Sequence, residues 1–264
     1  MNDDVSRETP PVPDAVRGVF PSARLRLIER YAALLATDGV VRGLIGPREA
    51  PRLWDRHLLN CGVLAELVPD DATVCDIGSG AGLPGLVLAI ARPDLRVTLV
   101  EPLLRRTTFL AEVAEQLALD HVEVVRGRAD ALHGQRSFDV VTSRAVAPLD
   151  RLLGWSMPLV APHGALVAMK GSSVAEEVEA ARPVLRALGC AEPEVSVLGA
   201  DRLETPTYAL RVAWADPAHV SWPLASASGD GRPGATSRTA PSKTARTRRT
   251  GGGRRSNSKR RRQG

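Results

Sequence analysis

One short stretch, residues 73–85, constrains the fold of this chain more than any other part of the sequence. Its first five residues, through Ile77, are mostly apolar or β-branched and predict a short buried strand. Gly78, Gly80 and Gly82 then alternate through a turn, and glycines there let a ligand come close to main-chain N–H groups. Pro84 follows at the predicted first helical position, where its missing N–H has no cost. The stretch therefore predicts a strand, a glycine turn and a helix whose N-terminus faces a ligand crevice.

Two kinds of ligand compete for this turn. Gly80, Gly82 and Gly85 have the G-x-G-x-x-G spacing of a dinucleotide fingerprint, which is a weak signal on its own. Asp76 lies at the strand end, where a carboxylate would repel a pyrophosphate but would suit an ammonium or sulfonium group. The sequence thus favours S-adenosylmethionine over NAD. A turn without any ligand is the least favoured interpretation, because such a turn rarely needs so many glycines.

The rest of the chain divides into segments of different composition. We expect a flexible lead over residues 1–19, a helical extension over 20–70, an α/β domain over 71–224 and a disordered tail over 225–264. The tail has twelve Arg and Lys residues against one acid, Asp230, so it carries +11 while the remainder carries −6. This asymmetry indicates an anionic partner for the tail, although a dispensable solubility or localisation segment is an equal alternative.

Within the predicted domain, strand and helix patterns alternate. Strands are expected at residues 73–77, 96–100, 122–125, 138–142, 165–169, 195–198 and 207–214, and helices at 103–119, 150–159 and 174–188. This alternation predicts an α/β fold with a mostly parallel, Rossmann-like sheet covered on both faces. Because no helix separates the last two strands, they must form a hairpin, and the last strand must be antiparallel.

The helical extension is predicted from three amphipathic segments, residues 20–35, 48–53 and 55–67. His57 lies in the third, where we favour a hydrogen-bonded structural histidine over a functional one. No apolar run approaches the roughly 18 residues that span a bilayer. The chain has three scattered cysteines without metal-ligand spacing. We therefore expect a cytoplasmic protein with no metal and no membrane partner.

Polar residues at the strand ends are candidate ligand contacts, because ligands of open α/β sheets lie outside the carboxyl ends of the strands. Together with the neighbouring backbone, the candidates are Asp76 with Gly78–Gly82, Glu101, Ala129 with Asp130, Arg144 and Lys170. Glu101 lies about 20 residues beyond the glycines, where a mononucleotide-binding unit places its ribose-binding carboxylate. We expect Arg144 and Lys170 to supply positive charge at the rim for phosphate or carboxylate.

Several motifs also occur in a recognisable order. They are RHLL at 56–59, DIGSGAGLPG at 76–85, Glu101, Phe109-Leu110, TSRA at 142–145 and MKG at 169–171. In these motifs the chain resembles the glucose-inhibited division protein B family, bacterial guanine-N7 methyltransferases of small-subunit ribosomal RNA. The resemblance covers about residues 20–214. The basic tail is not part of the family pattern, though similar extensions would suit actinobacterial relatives.

The resemblance implies a class I S-adenosylmethionine-dependent methyltransferase fold and a set of cofactor contacts. These contacts are Gly78, Leu83, Ala129, Asp130 and Arg144, in addition to the candidates Asp76, Gly80 and Glu101. Glu101 would hold the ribose hydroxyls, and Asp130 or its neighbouring backbone would bind the adenine amine. The family often has Glu at the position of Asp130 and Asp-Ser at positions 60–61, where this chain has Asn-Cys.

The implied reaction is methyl transfer to N7 of one guanine in the 530 loop of 16S rRNA, guanine-527 in reference rRNA numbering. Guanine N7 has a lone pair and no proton, so we expect no general base and name no catalytic residue. Arg144 is the first residue to test, as a rim cation. Three alternatives stay open: an NAD-dependent oxidoreductase, a non-catalytic RNA-binding protein on the same fold, and a small-molecule methyltransferase. We expect a monomer.

Overall fold

A computed structural model describes residues 11–220 of the chain, and within them seven strands form one sheet. The strands are β1 Thr73–Ile77, β2 Arg96–Glu101, β3 Val122–Arg126, β4 Phe138–Arg144, β5 Val160–Lys170, β6 Glu194–Leu198 and β7 Thr207–Ala213. Their order is β3-β2-β1-β4-β5-β7-β6. Strand β7 is antiparallel to both of its neighbours, and the other pairs are parallel. The predicted sheet with its antiparallel last strand is confirmed.

Helices cover both faces of this sheet, as predicted. The α-helices are α1 Val16–Val19, α2 Leu25–Leu34, α3 Leu59–Gly62, α4 Gly85–Ala91, α5 Leu104–Gln116, α6 Leu149–Ser156 and α7 Val174–Leu188. Helix α7 ends at Leu188 and is capped by Gly189, whose φ of 73° is the left-handed conformation that terminates many helices. Helix α5 ends at Gln116, three residues before the predicted end, and Ala118 beyond it has a φ of 51°.

The N-terminal segments form a more continuous helical region than the sequence predicts. Residues from Ala50 to Leu67 pass through a 3₁₀ turn, a π-helical turn at Trp54–Leu58, helix α3 and a second 3₁₀ segment. Together with α2, this region packs on helix α4, all seven residues of which are buried. One hydrophobic cluster therefore joins the N-terminal helices to one face of the sheet. A second cluster, with α6 and α7, covers the other face.

The end of the predicted flexible lead differs from expectation. Val16–Val19 form the helical turn α1, and Val16 is fully buried in the first cluster. Val16 and Phe20 are apolar and bury enough surface for this segment to pack. The prolines before them favoured a flexible segment in the sequence analysis. Residues 1–10 of the lead and the predicted tail at 225–264 lie outside the described residues. Among residues 11–220, no helix is both long enough and apolar enough to cross a membrane.

Candidate cofactor and substrate site

The glycine turn after β1 has the backbone that only glycine adopts easily. Gly78, Gly80 and Gly82 all have positive φ angles, of 69°, 59° and 99°. The N–H of Gly78 donates to the carbonyl of Val100 at 2.8 Å, which ties the start of the turn to β2. A Cβ atom on Gly78 would lie 3.0 Å from Cγ2 of Val146. The turn therefore leaves a narrow space between its backbone and the loop after β4.

Asp76 supports the glycine turn from the side of the sheet that α4 covers. It is fully buried, and its Oδ2 accepts the N–H of Gly85, the first residue of α4, at 3.0 Å. The carboxylate thus caps one of the donors that a helix start leaves unpaired. Its Oδ1 has no hydrogen-bond partner within residues 11–220, and burial raises the pKa of Asp76 to about 7. Strand alternation places the side chain on the α4 face, away from the ligand side of the turn.

Because Asp76 packs closely against α4, we expect a larger residue at the start of this helix to destabilise the fold. A Cβ atom added to Gly85 would lie 2.4 Å from Cδ2 of Leu99 and 2.7 Å from Oδ2 of Asp76. We expect Gly85→Ala to lower the free energy of unfolding by about 1–3 kcal/mol, the usual cost of overpacking a core. Urea denaturation followed by circular dichroism measures this change. Gly154→Ala in α6, where a Cβ meets nothing within 4 Å, is the matched control and should not destabilise. Equal stability of Gly85→Ala and wild type would contradict the prediction.

A cavity of about 640 Å³ lies at the carboxyl ends of β1 and β2, and we call it the crevice. Seven of the eight predicted cofactor contacts line it: Gly78, Gly80, Leu83, Glu101, Ala129, Asp130 and Arg144. Asp76 is the exception, because its side chain faces α4. The structure thus brings together residues from three strand ends and the 3₁₀ turn Ala129–Leu132, at the place where ligands of open α/β sheets bind.

Glu101 is the anchor of the crevice. Its side chain is 1% exposed and accepts three hydrogen bonds: from the N–H of Gly80 at 3.0 Å, from the N–H of Leu103 at 3.1 Å, and from Arg106 at 3.4 Å. These contacts fix a carboxylate at the end of β2, against the glycine turn. A carboxylate can accept about four hydrogen bonds, so capacity remains for a ligand hydroxyl.

The sequence analysis did not predict the apolar residues that line the crevice. Leu44 and Ile45 come from the loop that precedes the 3₁₀ turn Ala50–Arg52, and Trp155 comes from α6. Each is far in sequence from the glycine turn, and single apolar residues carry no pattern that assigns them to a ligand. They give the crevice the mostly apolar lining with a few polar groups that is typical of small-molecule sites.

A second cavity, of about 1070 Å³, adjoins the crevice, and we call it the side cavity. The two share a wall formed by Arg144, the last residue of β4, and by Ala145 and Val146 in the loop that follows. The side cavity is also lined by Glu49, His57 and Asn60 from the N-terminal region, and by Lys170, Glu177 and Tyr208 among residues from the other side. The sequence analysis did not predict this cavity.

Lys170 differs from its predicted role. Its side chain is 8% exposed, and Nζ lies 2.8 Å from Oε2 of Glu177, in the first turns of α7. It also donates to the carbonyl of Ala147 at 3.4 Å. A buried lysine with a carboxylate partner is not a free cation at the rim, so that expectation was wrong for Lys170.

Arg144 points into the side cavity and contacts the N-terminal region. Its Nη2 lies 2.7 Å from Nδ1 of His57, and its Nη1 donates to the carbonyl of Arg56 at 3.3 Å. His57 in turn places Nε2 3.0 Å from Oε2 of Glu49. The prediction that His57 is hydrogen-bonded is thus confirmed, and its partner is a predicted site residue. The RHLL motif at 56–59 was the only sequence signal for this contact.

The residues of the crevice fit S-adenosylmethionine. A volume of about 640 Å³ is within the range of ligand pockets, roughly 300–1,000 Å³. The space above Gly78 would be filled by any side chain, and the Glu101 carboxylate is fixed at the strand end where ribose hydroxyls bind. The sheet order with antiparallel β7 also departs from the two βαβαβ halves of a dinucleotide-binding domain. The fold and site define a class I methyltransferase.

Comparison with known proteins gives the family. The chain belongs to the GidB family, described as rRNA small subunit methyltransferase G, whose profile matches residues 24–204. It is 73% identical over 225 residues to the ribosomal RNA small subunit methyltransferase G of Nocardioides sp., covering 85% of this chain and 90% of that one. It is 57% identical over 193 residues to the protein of the same name from Streptomyces coelicolor, with 73% and 80% covered.

Solved structures agree on the fold. The mitomycin 7-O-methyltransferase MmcR superimposes with a TM-score of 0.50 at 20% identity, covering 70% of this chain and 60% of that chain. The resemblance found in the motifs is therefore confirmed, including its actinobacterial character. Membership in this family confirms S-adenosylmethionine as the cofactor and favours it over NAD.

Proposed function

We propose that this protein transfers the methyl group of S-adenosylmethionine to N7 of a guanine in the 530 loop of 16S rRNA, guanine-527 in reference rRNA numbering. The observation that supports this most is the side cavity, which adjoins the cofactor crevice across the Arg144 wall in a chain of the rRNA methyltransferase family. Enzymes that modify a base commonly take it out of the stack into such a pocket. For transfer, the sulfonium methyl group would have to meet the base directly, beside the residues that line both cavities.

The residues of the two cavities are suited to this chemistry. Guanine N7 carries a lone pair, so no proton has to be removed, and the methyl group is already activated on sulfur. The task of the protein is to align nucleophile, carbon and sulfur, and alignment of this kind can supply roughly 7–11 kcal/mol. The purine gains positive charge during transfer, which the carboxylate of Glu49 in the side cavity would stabilise, whereas the charge of Glu177 is balanced by Lys170.

Individual residues take the following proposed roles. Glu101 accepts hydrogen bonds from the ribose hydroxyls, while Ala129 and Asp130 bind the adenine. The glycine turn lies against the methionine part of the cofactor. Arg144 donates to O6 of the guanine, the acceptor beside N7 on the same base edge, and so orients the base without blocking N7. Asp76 acts indirectly, because it fixes the start of α4 and the turn above it.

The basic tail, residues 225–264, makes a separate prediction. Its charge of +11 would bind RNA phosphates without sequence preference. We expect a chain ending at residue 224 to bind rRNA more weakly and with a smaller dependence of log K on log salt, while its affinity for S-adenosylmethionine is unchanged. Fluorescence anisotropy at several salt concentrations measures the slope. An unchanged slope would favour the alternative of a dispensable tail.

Two measurements separate the proposed function from its alternatives. Thermal stabilisation by S-adenosylhomocysteine but not by NAD is expected, and the reverse would favour an oxidoreductase. Label from methyl-labelled S-adenosylmethionine should enter the RNA of small ribosomal subunits that lack the modification. RNA binding without transfer to any RNA would favour a non-catalytic RNA-binding protein.

A further inference from the structure

We propose that His57 and Glu49 are positioning residues, which hold Arg144 at the wall between the crevice and the side cavity through the neutral imidazole of His57. Neither was a predicted site residue, and neither contacts the crevice. The catalytic consequence rests on the proposed function. The structural part, a fixed tautomer in a chain of three side chains, does not.

The hydrogen-bond geometry determines where the proton of His57 lies. The guanidinium of Arg144 can only donate, so Nδ1 of His57, 2.7 Å from Nη2, must accept and carry no hydrogen. A neutral imidazole then has its proton on Nε2, which lies 3.0 Å from Oε2 of Glu49. The carboxylate accepts that N–H and so locks the tautomer that Arg144 requires. Each of the three groups has one compatible role.

Three separate parts of the chain meet in this arrangement. Arg144 is the last residue of β4, His57 lies in the π-helical turn Trp54–Leu58, and Glu49 precedes the 3₁₀ turn Ala50–Arg52. The turn that carries His57 is anchored by Trp54 and Leu58, both buried in the first hydrophobic cluster. The N-terminal region thus supplies a rigid acceptor for a cation on the sheet. Without it, a long arginine side chain would sample many rotamers.

Protonation of His57 would break this arrangement. The imidazolium would place an N–H and a positive charge against the guanidinium of Arg144, where an acceptor is needed. Burial first, and then the charge of Arg144, hold the pKa of His57 below its usual value, although Glu49 opposes this shift and Arg56 adds to it. His57 is therefore neutral at pH 7, and Arg144 loses its anchor only as the pH falls through that lowered pKa.

The most direct test is the protonation state of His57 in the full-length protein. Nitrogen-15 NMR of the histidine side chains distinguishes protonated from unprotonated ring nitrogens. We expect Nε2 protonated and Nδ1 unprotonated at pH 7.5, and a pKa that rises in Arg144→Ala, because the neighbouring positive charge is removed. A proton on Nδ1 at pH 7.5, or a His57 pKa that is the same with and without Arg144, would overturn the proposal.

The functional test compares His57→Ala with His57→Asn. Oδ1 of asparagine can occupy the place of Nδ1 as an acceptor but does not titrate. We expect His57→Ala to lower kcat for rRNA methylation by about 10- to 100-fold, as misplacement of a positioning group does, with little change in affinity for S-adenosylmethionine. His57→Asn should keep most of the activity. It should also lack the fall in kcat at acid pH that we expect in wild type when His57 becomes protonated. His163→Asn, an exposed histidine on β5, is the matched control.

A double variant shows whether His57 acts through Arg144. His57→Ala with Arg144→Ala should be no less active than Arg144→Ala alone, since the anchor has nothing left to hold. Additive losses would overturn the proposal.

The comparison of His57→Asn with wild type is needed because Asp76, whose pKa burial raises to about 7, also changes charge near Arg144. If the wild type methylates no RNA, the proposed function fails, while the NMR experiment still decides this inference.

Discussion

Replacement of Arg144 by alanine is expected to lower kcat/KM for rRNA methylation by about 100-fold or more, the effect of removing one positioned donor from an active site. The guanidinium of Arg144 extends to His57 and the carbonyl of Arg56, which line the side cavity and not the crevice. We therefore expect affinity for S-adenosylmethionine to change much less than methyl transfer. Single-turnover kinetics and isothermal titration calorimetry measure the two quantities.

Arg144→Lys separates charge from geometry. A lysine keeps the positive charge and three N–H donors, but they sit on one nitrogen and lack the planar, extended geometry with which a guanidinium can reach His57 and a base together. We expect activity well below wild type and close to that of Arg144→Ala. Arg211→Ala on β7, a half-buried arginine paired with Glu194, is the matched control and should retain full activity. A tenfold loss of cofactor affinity in Arg144→Ala with unchanged transfer rate would place the guanidinium on the cofactor instead.

Replacement of Glu101 by alanine is expected to weaken binding of S-adenosylmethionine by about 10- to 100-fold. Each hydrogen bond to a charged group contributes about 1.5–3 kcal/mol, and about 1.4 kcal/mol corresponds to tenfold in affinity. The change also removes the acceptor of the Gly80 and Leu103 N–H groups, so the turn loses its anchor on β2. Calorimetry on the purified variant measures the affinity.

The Glu101 prediction has two controls. Glu101→Gln keeps the size and one acceptor oxygen, so its affinity should lie between those of wild type and Glu101→Ala. Glu194→Ala, at the start of β6 and far along the sheet from β2, should bind as wild type does. Thermal melting without ligand shows whether each variant is folded. If folded Glu101→Ala bound S-adenosylmethionine with wild-type affinity, the Glu101 carboxylate would not be a cofactor contact.

The parts of the site that the sequence predicts are those that depend on local pattern. Residues 73–85 specify a strand, a turn and a helix start by themselves, because glycine, proline and short apolar runs act on neighbouring backbone. The strand order then brings Glu101, Ala129, Asp130 and Arg144 to the same crevice, since the carboxyl ends of parallel strands share one edge. The resemblance added Leu83, which also lines it.

The parts that the sequence did not predict depend on side-chain direction and distant partners. Which way Asp76 faces follows from which side of the sheet α4 covers, and that is a property of packing. The contact of Arg144 with His57 joins residues 87 positions apart, and the pairing of Lys170 with Glu177 depends on how α7 returns over β5. Neither leaves a periodic signal along the chain.

The central claim is that this crevice delivers a methyl group to one guanine N7 of small-subunit rRNA. The direct measurement incubates the protein with S-adenosylmethionine and with small subunits from cells that lack the gene, then maps 7-methylguanine by chemical cleavage and mass spectrometry. The proposed function predicts one new 7-methylguanine, in the 530 loop at guanine-527. At S-adenosylmethionine concentrations below the Kd of the Glu101→Ala variant, that variant should form it about 10- to 100-fold more slowly. A methyl group on another base or another atom, or none at all with a protein that binds S-adenosylmethionine, would contradict it.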